Sequence, residues 1–334
     1  MTTPWAFTGT VRRHLRGWNP GVCAIAALSL FAWAGRALAD STPITVGSAG
    51  NYGLLSGAGD TLTLSGGFNL SGNAGIGQNG TVNLTGGNAI SGTAFEDSGV
   101  TTNSDGNTSV SGGVITQSMT QALADATTAS NAAAAMTATA GLTDQGGAIN
   151  LNGGSVTIQA LGNLSENVLN ISALSLTNGT LTFDDNGYTG AKFIVNVTGN
   201  FNVGSTGGGT SIIQGINGAS ASDIIFNIEN PDSSVSITGN STNQVIGTIL
   251  DPSSSVTLGG GGTLTGALLA GFNNARSATT VQAGSDGFNI NSFAYTPQAG
   301  SSSVPEPSSI AMFGAGLVAV AALARRRRGS ATEL

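Results

Sequence analysis

Polar and apolar positions alternate along this chain in short bursts. In Thr61-Leu62-Thr63-Leu64 the leucines fall on one side of an extended segment and the threonines on the other. The burst then returns: residues 61–72 read TLTLSGGFNLSG and residues 81–92 read TVNLTGGNAISG, an offset of 20. Thr61/Thr81, Leu64/Leu84, Gly66/Gly86, Gly67/Gly87, Ser71/Ser91 and Gly72/Gly92 are identical across it. Glycine pairs recur at Gly112-Gly113 and Gly153-Gly154. Further on, Ser234-Val235-Ser236-Ile237 returns as Ser255-Val256-Thr257-Leu258, and the run 245–250 (VIGTIL) returns as 264–269 (LTGALL). A repeat of about 20 residues holding two or three short strands is the period of one solenoid coil. Each coil pairs its backbone with the previous one, and inward Leu, Val and Ile stack into a continuous column. Gly and Asn suit the corners, where the backbone often needs positive φ. The expected fold is therefore mainly β, a parallel β-helix. A β-sandwich also uses short strands and Gly-rich turns, but it predicts no self-similarity at this period.

One segment breaks the pattern. Residues 117–140 are Ala-rich and contain neither Gly nor Pro. Met119, Leu123, Ala126, Ser130, Ala133 and Met136 fall near helical spacing, and Gly141 is a natural stop. The spacing predicts one helix of about six turns, its small-residue face lying close against the solenoid. A coiled-coil partner is the rival reading, and the Ala stripe is weak for it.

The ends read differently from the body. Arg12, Arg13 and Arg16 precede an apolar stretch from 22 to 33, and Ala37-Leu38-Ala39 places small residues before Asp40. This is the layout of a secretory leader over 1–39, cut between Ala39 and Asp40; the rival is an uncleaved anchor, for which the run is short. At the other end, Val304-Pro305-Glu306-Pro307 closes a linker over 301–309, and 310–324 is apolar. Arg325, Arg326, Arg327 and Arg328 then open a basic tail over 325–334. An apolar helix followed by arginines is a stop-transfer device, its charged end held on the cytoplasmic side. Fifteen residues at about 1.5 Å each are marginal for a full span, and Gly314 and Gly316 weaken the helix. An ordinary tail anchor is the alternative.

Composition narrows the body, 40–300. Of 17 acidic residues only Glu306 and Glu333 lie outside 40–304, whereas of 10 basic residues only Lys192 and Arg276 lie inside. The net charge of that stretch is −13, against −7 for the whole chain. Nucleic acid is excluded as a partner, since phosphate binding needs Lys and Arg clusters. The single His (His14) and the single Cys (Cys23) both sit in the leader. The body is thus without Ser-His-Asp or Cys-His catalysis, thiol redox chemistry, the common zinc sites and disulfides. No cofactor is expected.

Two resemblances follow from these residues. Val304 to Pro307, the short glycine-containing span and Arg325 to Arg328 together resemble the PEP-CTERM sorting signal of Gram-negative bacteria. The resemblance implies passage through the Sec translocon, leader removal by signal peptidase, and recognition of Pro305-Glu306-Pro307 by an exosortase. It also implies a membrane-anchored precursor, then a cell-surface or extracellular protein associated with extracellular polysaccharide. The body (coils, an Ala-rich helix, more coils, then IIFNIENPDSSVSITG, VIGTILDPSSSVTL and LTGALLAG) resembles the choice-of-anchor A exported domain. That domain is similar in turn to the β-helical ice-binding and adhesin-like fold. This implies a discontinuous right-handed β-helix with one long helix packed alongside. Asp251-Pro252 departs from the Ala-Pro that the family shows there, and the family supplies no catalytic residues to carry over.

Candidate sites are few. Thr61, Thr63, Thr81 and Asn83 would stack into a flat hydroxyl and amide ladder, with Thr180 and Thr182, or Thr263 and Thr265, extending similar ones. Such arrays can engage ice or carbohydrate, although Thr also simply favours strands and solvates an exposed face. Asp184-Asp185 is the densest acidic pair and reads as a polar turn, a weak calcium site, or paired carboxylates of a glycosidase. Gly259 to Gly262 reads as a flexible corner rather than a phosphate loop, because no Gly-Lys-Ser/Thr follows. The leading expectation is a non-enzymatic, exported structural, adhesive or glycan-contacting protein. The alternatives are ice binding through a Thr face, and a lyase or glycosidase using Asp184, Asp185 or Lys192.

Overall fold

A computed structural model describes residues 43–161, 166–253, 255–273, 280–283 and 287–297. The alternating bursts form parallel strands in three faces that wind about one axis. The first, called here the flat face, is a nine-stranded sheet. Its order is Ala148–Asn152, Ala173–Thr177, Phe201–Gly204, Ser234–Ile237, Ser255–Leu258, Thr280–Ala283, Thr61–Ser65, Thr81–Thr85 and Thr101–Ser104. The other two faces share a 16-stranded sheet, because Gln244–Asp251 and Thr263–Ala270 each run across the corner between them. Those two strands bend at Gly247 and Gly266, which lie in register with φ of +121° and +147°.

The expected register is observed. Leu64 pairs with Leu84 and Leu62 with Val82 on neighbouring rungs, Val235 pairs with Val256, and Val245 pairs with Leu264. Inward Leu, Ile and Val fill the tube, and phenylalanines fill its wider rungs. Phe183 lies 5.1 Å from Phe193, and Phe201 lies 5.1 Å from Phe226, between ring centroids. Burying each such side chain contributes roughly 1.5–3 kcal/mol. Corners are turned where positive φ was expected, for example at Asn79 (φ +57°) stacked beside Gly99 (φ +76°).

The chain does not climb the axis in order. Coils from Leu54 to Thr116 start mid-stack and reach one end; the next strand, Ala148–Asn152, lies at the opposite end. Later coils climb back until Thr280–Ala283 pairs with Thr61 to Leu64, and Asn289 to Asn291 pair with Asn69 to Ser71. Helix α1, Thr120–Ala134, makes about half of the return between ends, and the segments on either side of it make the rest. At about 1.5 Å per residue its 15 residues cover between four and five rungs of about 4.8 Å.

Helix α1 is shorter than the 117–140 expected from spacing. At its start, Gln117 N–H donates to Glu96 O, continuing the coil, and Met119 N–H donates to Asp97 Oδ2 at 2.8 Å. At its end, Thr139 N–H donates to Val168 O, and its hydroxyl accepts from Val168 N–H at 2.9 Å. Backbone pairing with the coils thus takes both flanks away from the helix. Its buried stripe is nevertheless the expected one: Met119, Ala126, Ser130 and Ala133 are buried, with Leu123 and Met136 partly so. It packs on a second apolar layer of Leu55, Leu250, Leu269, Ile194 and Ile225.

The last half of the helix rests on a ladder of amides. Asn170, Asn196 and Asn227 occupy one register row. Asn227 Nδ2 donates to Asn196 Oδ1, and Asn196 Nδ2 to Asn170 Oδ1, each at 3.0 Å. Asn196 Nδ2 also donates to Ala133 O (2.8 Å), and Ser130 Oγ donates to Asn227 Oδ1 (2.7 Å). This satisfies part of the helix C-terminus, whose last carbonyls have no partner within the helix. Among the described residues no helix is long and apolar enough to cross a membrane; the segments 1–39 and 301–334 lie outside them.

Candidate functional site

Period two dictates what the flat face shows. With Leu62, Leu64, Val82 and Leu84 inward, Thr61, Thr63, Thr81 and Asn83 point outward, as expected, and are half-buried by their neighbours. One outward row runs Thr101, Thr81, Thr61 and, beyond the Thr280–Ala283 strand, Ser255 and Ser234. The next runs Asn103, Asn83, Thr63, then Thr257, Ser236 and Asn202. Asn103 Nδ2 donates to Asn83 Oδ1 (3.0 Å), and Asn83 Nδ2 to Thr63 Oγ1 (3.5 Å), so these three form a continuous amide–hydroxyl ladder at one end of the row. Neighbouring groups repeat about every 4.8 Å across strands and about 6.6 Å along them.

No described residue in these rows is charged. The carboxylates sit elsewhere: Asp60 and Asp185 at corners, Asp251 buried at the end of the strand Gln244–Asp251 in the other sheet, Asp125 on the helix, and Asp97 and Asp105 on the terminal coil. A regular, neutral surface of hydroxyls and amides is what remains. Thr101, Asn103, Thr257 and Ser236 were not singled out from the sequence. The 20-residue offset from Thr81 and Asn83 leads directly to Thr101 and Asn103.

Thr180, Thr182, Thr263 and Thr265 do not extend this face; their strands form the third one. There Thr182 is buried and accepts from Gln214 Nε2 at 3.2 Å. Gly259 to Gly262, expected as a flexible corner, form a tight stacked one instead, since a Cβ on Gly260 would lie 1.9 Å from Gly239 O on the neighbouring rung.

The Asp184-Asp185 pair closes the turn after Thr180–Asp184, and its two carboxylates differ. Asp184 accepts from Asn186 N–H (2.7 Å), Asn217 Nδ2 (2.8 Å) and Gln159 Nε2 (3.3 Å). The Asn217 amide, with the Asn186 N–H beside it, holds its pKa below the usual carboxylate value. Asp185 is 2% exposed and its Oδ1 has no partner. Burial, reinforced by the negative charge of Asp223, pushes its pKa up to about 6. Neither arrangement offers two carboxylates to a ligand from one side. Among the described residues no group of three or more His, Cys, Asp or Glu could hold a metal ion. Ala37, Ala39 and Asp40 of the expected leader cleavage site lie outside the described residues. So do Val304, Pro305, Glu306, Pro307 and Arg325 to Arg328.

Comparison with known proteins decides the family. Residues 32–282 match the family described as the ice-binding-like adhesive domain. The chain belongs to this family. Residues 303–328 of the chain match the PEP-CTERM protein-sorting motif, which implies export and exosortase-mediated sorting. The adhesive domain is similar to the solved ice-binding protein of an Antarctic biological consortium, with 24% identity and a TM-score of 0.47, over 77% of this chain and 92% of that one. It is also similar to that of the Antarctic ascomycete Antarctomyces psychrotrophicus, with 19% identity and a TM-score of 0.48, over 76% and 100% of the two chains. For the DUF3494 domain of Shewanella frigidimarina ice-binding protein 1, the values are 18%, 0.46, 77% and 99%. No curated protein matches the chain.

Proposed function

We propose that the body, 40–300, is a non-enzymatic adhesive module that uses its flat face to hold neutral, hydroxyl-rich material outside the cell. The leader 1–39 is removed after Ala39. The span 310–324 and the arginines at 325–328 hold the precursor in the membrane until an exosortase acts at Pro305-Glu306-Pro307. The observation that carries this reading is the absence of charge from the described outward rows of a nine-stranded sheet in a strongly acidic body. Neutral polysaccharide presents repeating hydroxyls, and a stacked ladder of amides and hydroxyls can bond many of them at once, each weakly. Catalysis is disfavoured by the same structure: Asp184 is tied by three donors, and Asp185 and Lys192 are buried.

The test is retention of the purified exported protein on the producer's own extracellular polysaccharide. Thr63→Tyr and Thr81→Tyr place a large ring on the flat face while keeping strand preference. Retention is expected to fall at least about tenfold, the equivalent of roughly 1.4 kcal/mol, with unchanged melting temperature. Undiminished retention overturns the reading.

Ice is the second reading, favoured by Thr61, Thr81 and Thr101 standing in register on adjacent rungs. It predicts inhibition of ice recrystallisation that the same two substitutions remove. No inhibition at high protein concentration excludes it.

A further inference from the structure

The corner opposite the flat face holds a buried constellation that adhesion does not use. Lys192 and Asp223 are 5% and 7% exposed, and Lys192 Nζ is paired with Asp223 Oδ1. Lys192 opens the strand Lys192–Val197, and Asp223 closes the 3-10 turn that leads into the next rung, Ile224–Ile228. The other carboxylate oxygen, Asp223 Oδ2, accepts from Ser220 N–H (2.8 Å) and Ser220 Oγ (2.5 Å). Tyr295, 3% exposed, lies with its ring 5.7 Å from Lys192 Nζ and helps close the corner. An amine is thus held against one oxygen of a carboxyl group whose second oxygen already receives two donors, in a site shut off from water.

We propose that Lys192 and Asp223 condense into an intramolecular amide that staples two adjacent rungs. The step balances within the pair. A proton passes from the Lys192 ammonium to Asp223 Oδ1, giving an amine and a carboxylic acid. Nζ attacks Cγ, and the charge that develops on Oδ2 is stabilised by the Ser220 N–H and hydroxyl, as an oxyanion hole would do. Oδ1 then leaves as water, taking a second proton from Nζ, and the carbonyl reforms. The net change is ammonium plus carboxylate to amide plus one water, with no oxidant or cofactor. Fixed contact between the reacting groups supplies the proximity such a condensation needs.

A proton relay is at hand. Asp185 shares the corner, feels the charges of both Lys192 and Asp223, and has an unpartnered buried Oδ1. With its pKa near 6 it exchanges a proton readily around neutral pH. A distant segment also ties down this corner: Thr296 N–H donates to Ser222 O at 3.0 Å, one residue from Asp223. In a body without cysteine, an amide is the covalent reinforcement available.

Peptide mapping of the exported protein by mass spectrometry tests this. The expected product is a branched peptide joining Lys192 to Asp223, lighter than its two linear parts by one water. Lys192→Arg keeps the charge and cannot form the amide, so its map shows only linear peptides. Linear Lys192 and Asp223 peptides from the native protein overturn the proposal, whatever the variants do. Asp185→Asn should leave a mixture of joined and unjoined chains soon after synthesis; full joining at that time removes Asp185 from the relay while the staple stands.

Discussion

At the scale of single residues, the solenoid places polar groups by what the neighbouring rung can offer them. Asn170, Asn196 and Asn227 are buried or half-buried yet bonded to one another and to the helix. Asp185 is the exception, and its raised pKa has a thermodynamic consequence. Below about pH 3.8 the group is protonated both folded and unfolded. Between there and about pH 6 the folded protein alone keeps the proton, so the stability this contributes falls as pH rises and is gone above pH 6. Burial is the larger cause; Asp223 and Lys192, while unjoined, and Asp184 are the charges that act on it. Asp184, Asp97 and Asp125 have lowered pKa values, so their contributions are lost as pH falls below the usual carboxylate range. Denaturant titrations at pH 4.5 and 7.5 separate the two. Asp185→Asn should gain on the native protein at the higher pH and lose that advantage at the lower. Equal differences at both would show that Asp185 titrates normally.

The strands and their corners are where the sequence was most readable. Leu64 over Leu84, and 245–250 over 264–269, could be paired on paper because identical rungs must repeat their inward residues at a fixed offset. The helix was readable in type but not in length, because its flanks pair with Glu96 and Val168, residues far away in sequence. The flat face was half visible. Thr61, Thr63, Thr81 and Asn83 came from one repeat, but the rows continue through Ser234 to Thr257, whose coil period differs. Nothing local announces the amide ladder or the Lys192 corner, since each depends on which rungs become neighbours. One corner makes a sharp prediction. A Cβ on Gly266 would lie 2.0 Å from Gly247 O, at a φ of +147°. Gly266→Ala should destabilise by about 1–3 kcal/mol from backbone strain alone, read as a lower denaturation midpoint. An unchanged midpoint would mean that the two bent strands do not need their glycines.

For the whole molecule, the position of a rung in the stack matters as much as the residue it carries. Leu54, Ala74, Ala94 and Val114 form one inward column, yet Leu54 is fully buried and Val114 is 56% exposed. The terminal coil also carries Thr102 and Ser104 where the previous rung has Val82 and Leu84. Leu54→Ala should cost roughly 2–5 kcal/mol, whereas Val114→Ala should stay within about 0.5 kcal/mol. Equilibrium unfolding of the two variants makes the comparison, and equal losses would contradict the open end. On the flat-face strand, Thr102 and Ser104 make that part of the open end polar, which discourages copies from adding to its unpaired edge there.

The mid-stack entry of the chain governs when the body can be finished. Thr61 to Leu64 must wait for a strand more than two hundred residues downstream, Thr280–Ala283, before both their edges are paired. Contacts so distant in sequence form slowly, and a chain emerging from a ribosome or a translocon delivers them last. The closing strands precede the sorting motif matched at 303–328 by only a short stretch. Completion of the domain and arrival of its address are therefore nearly simultaneous, and a chain that has not yet reached its address still has an open seam at its centre.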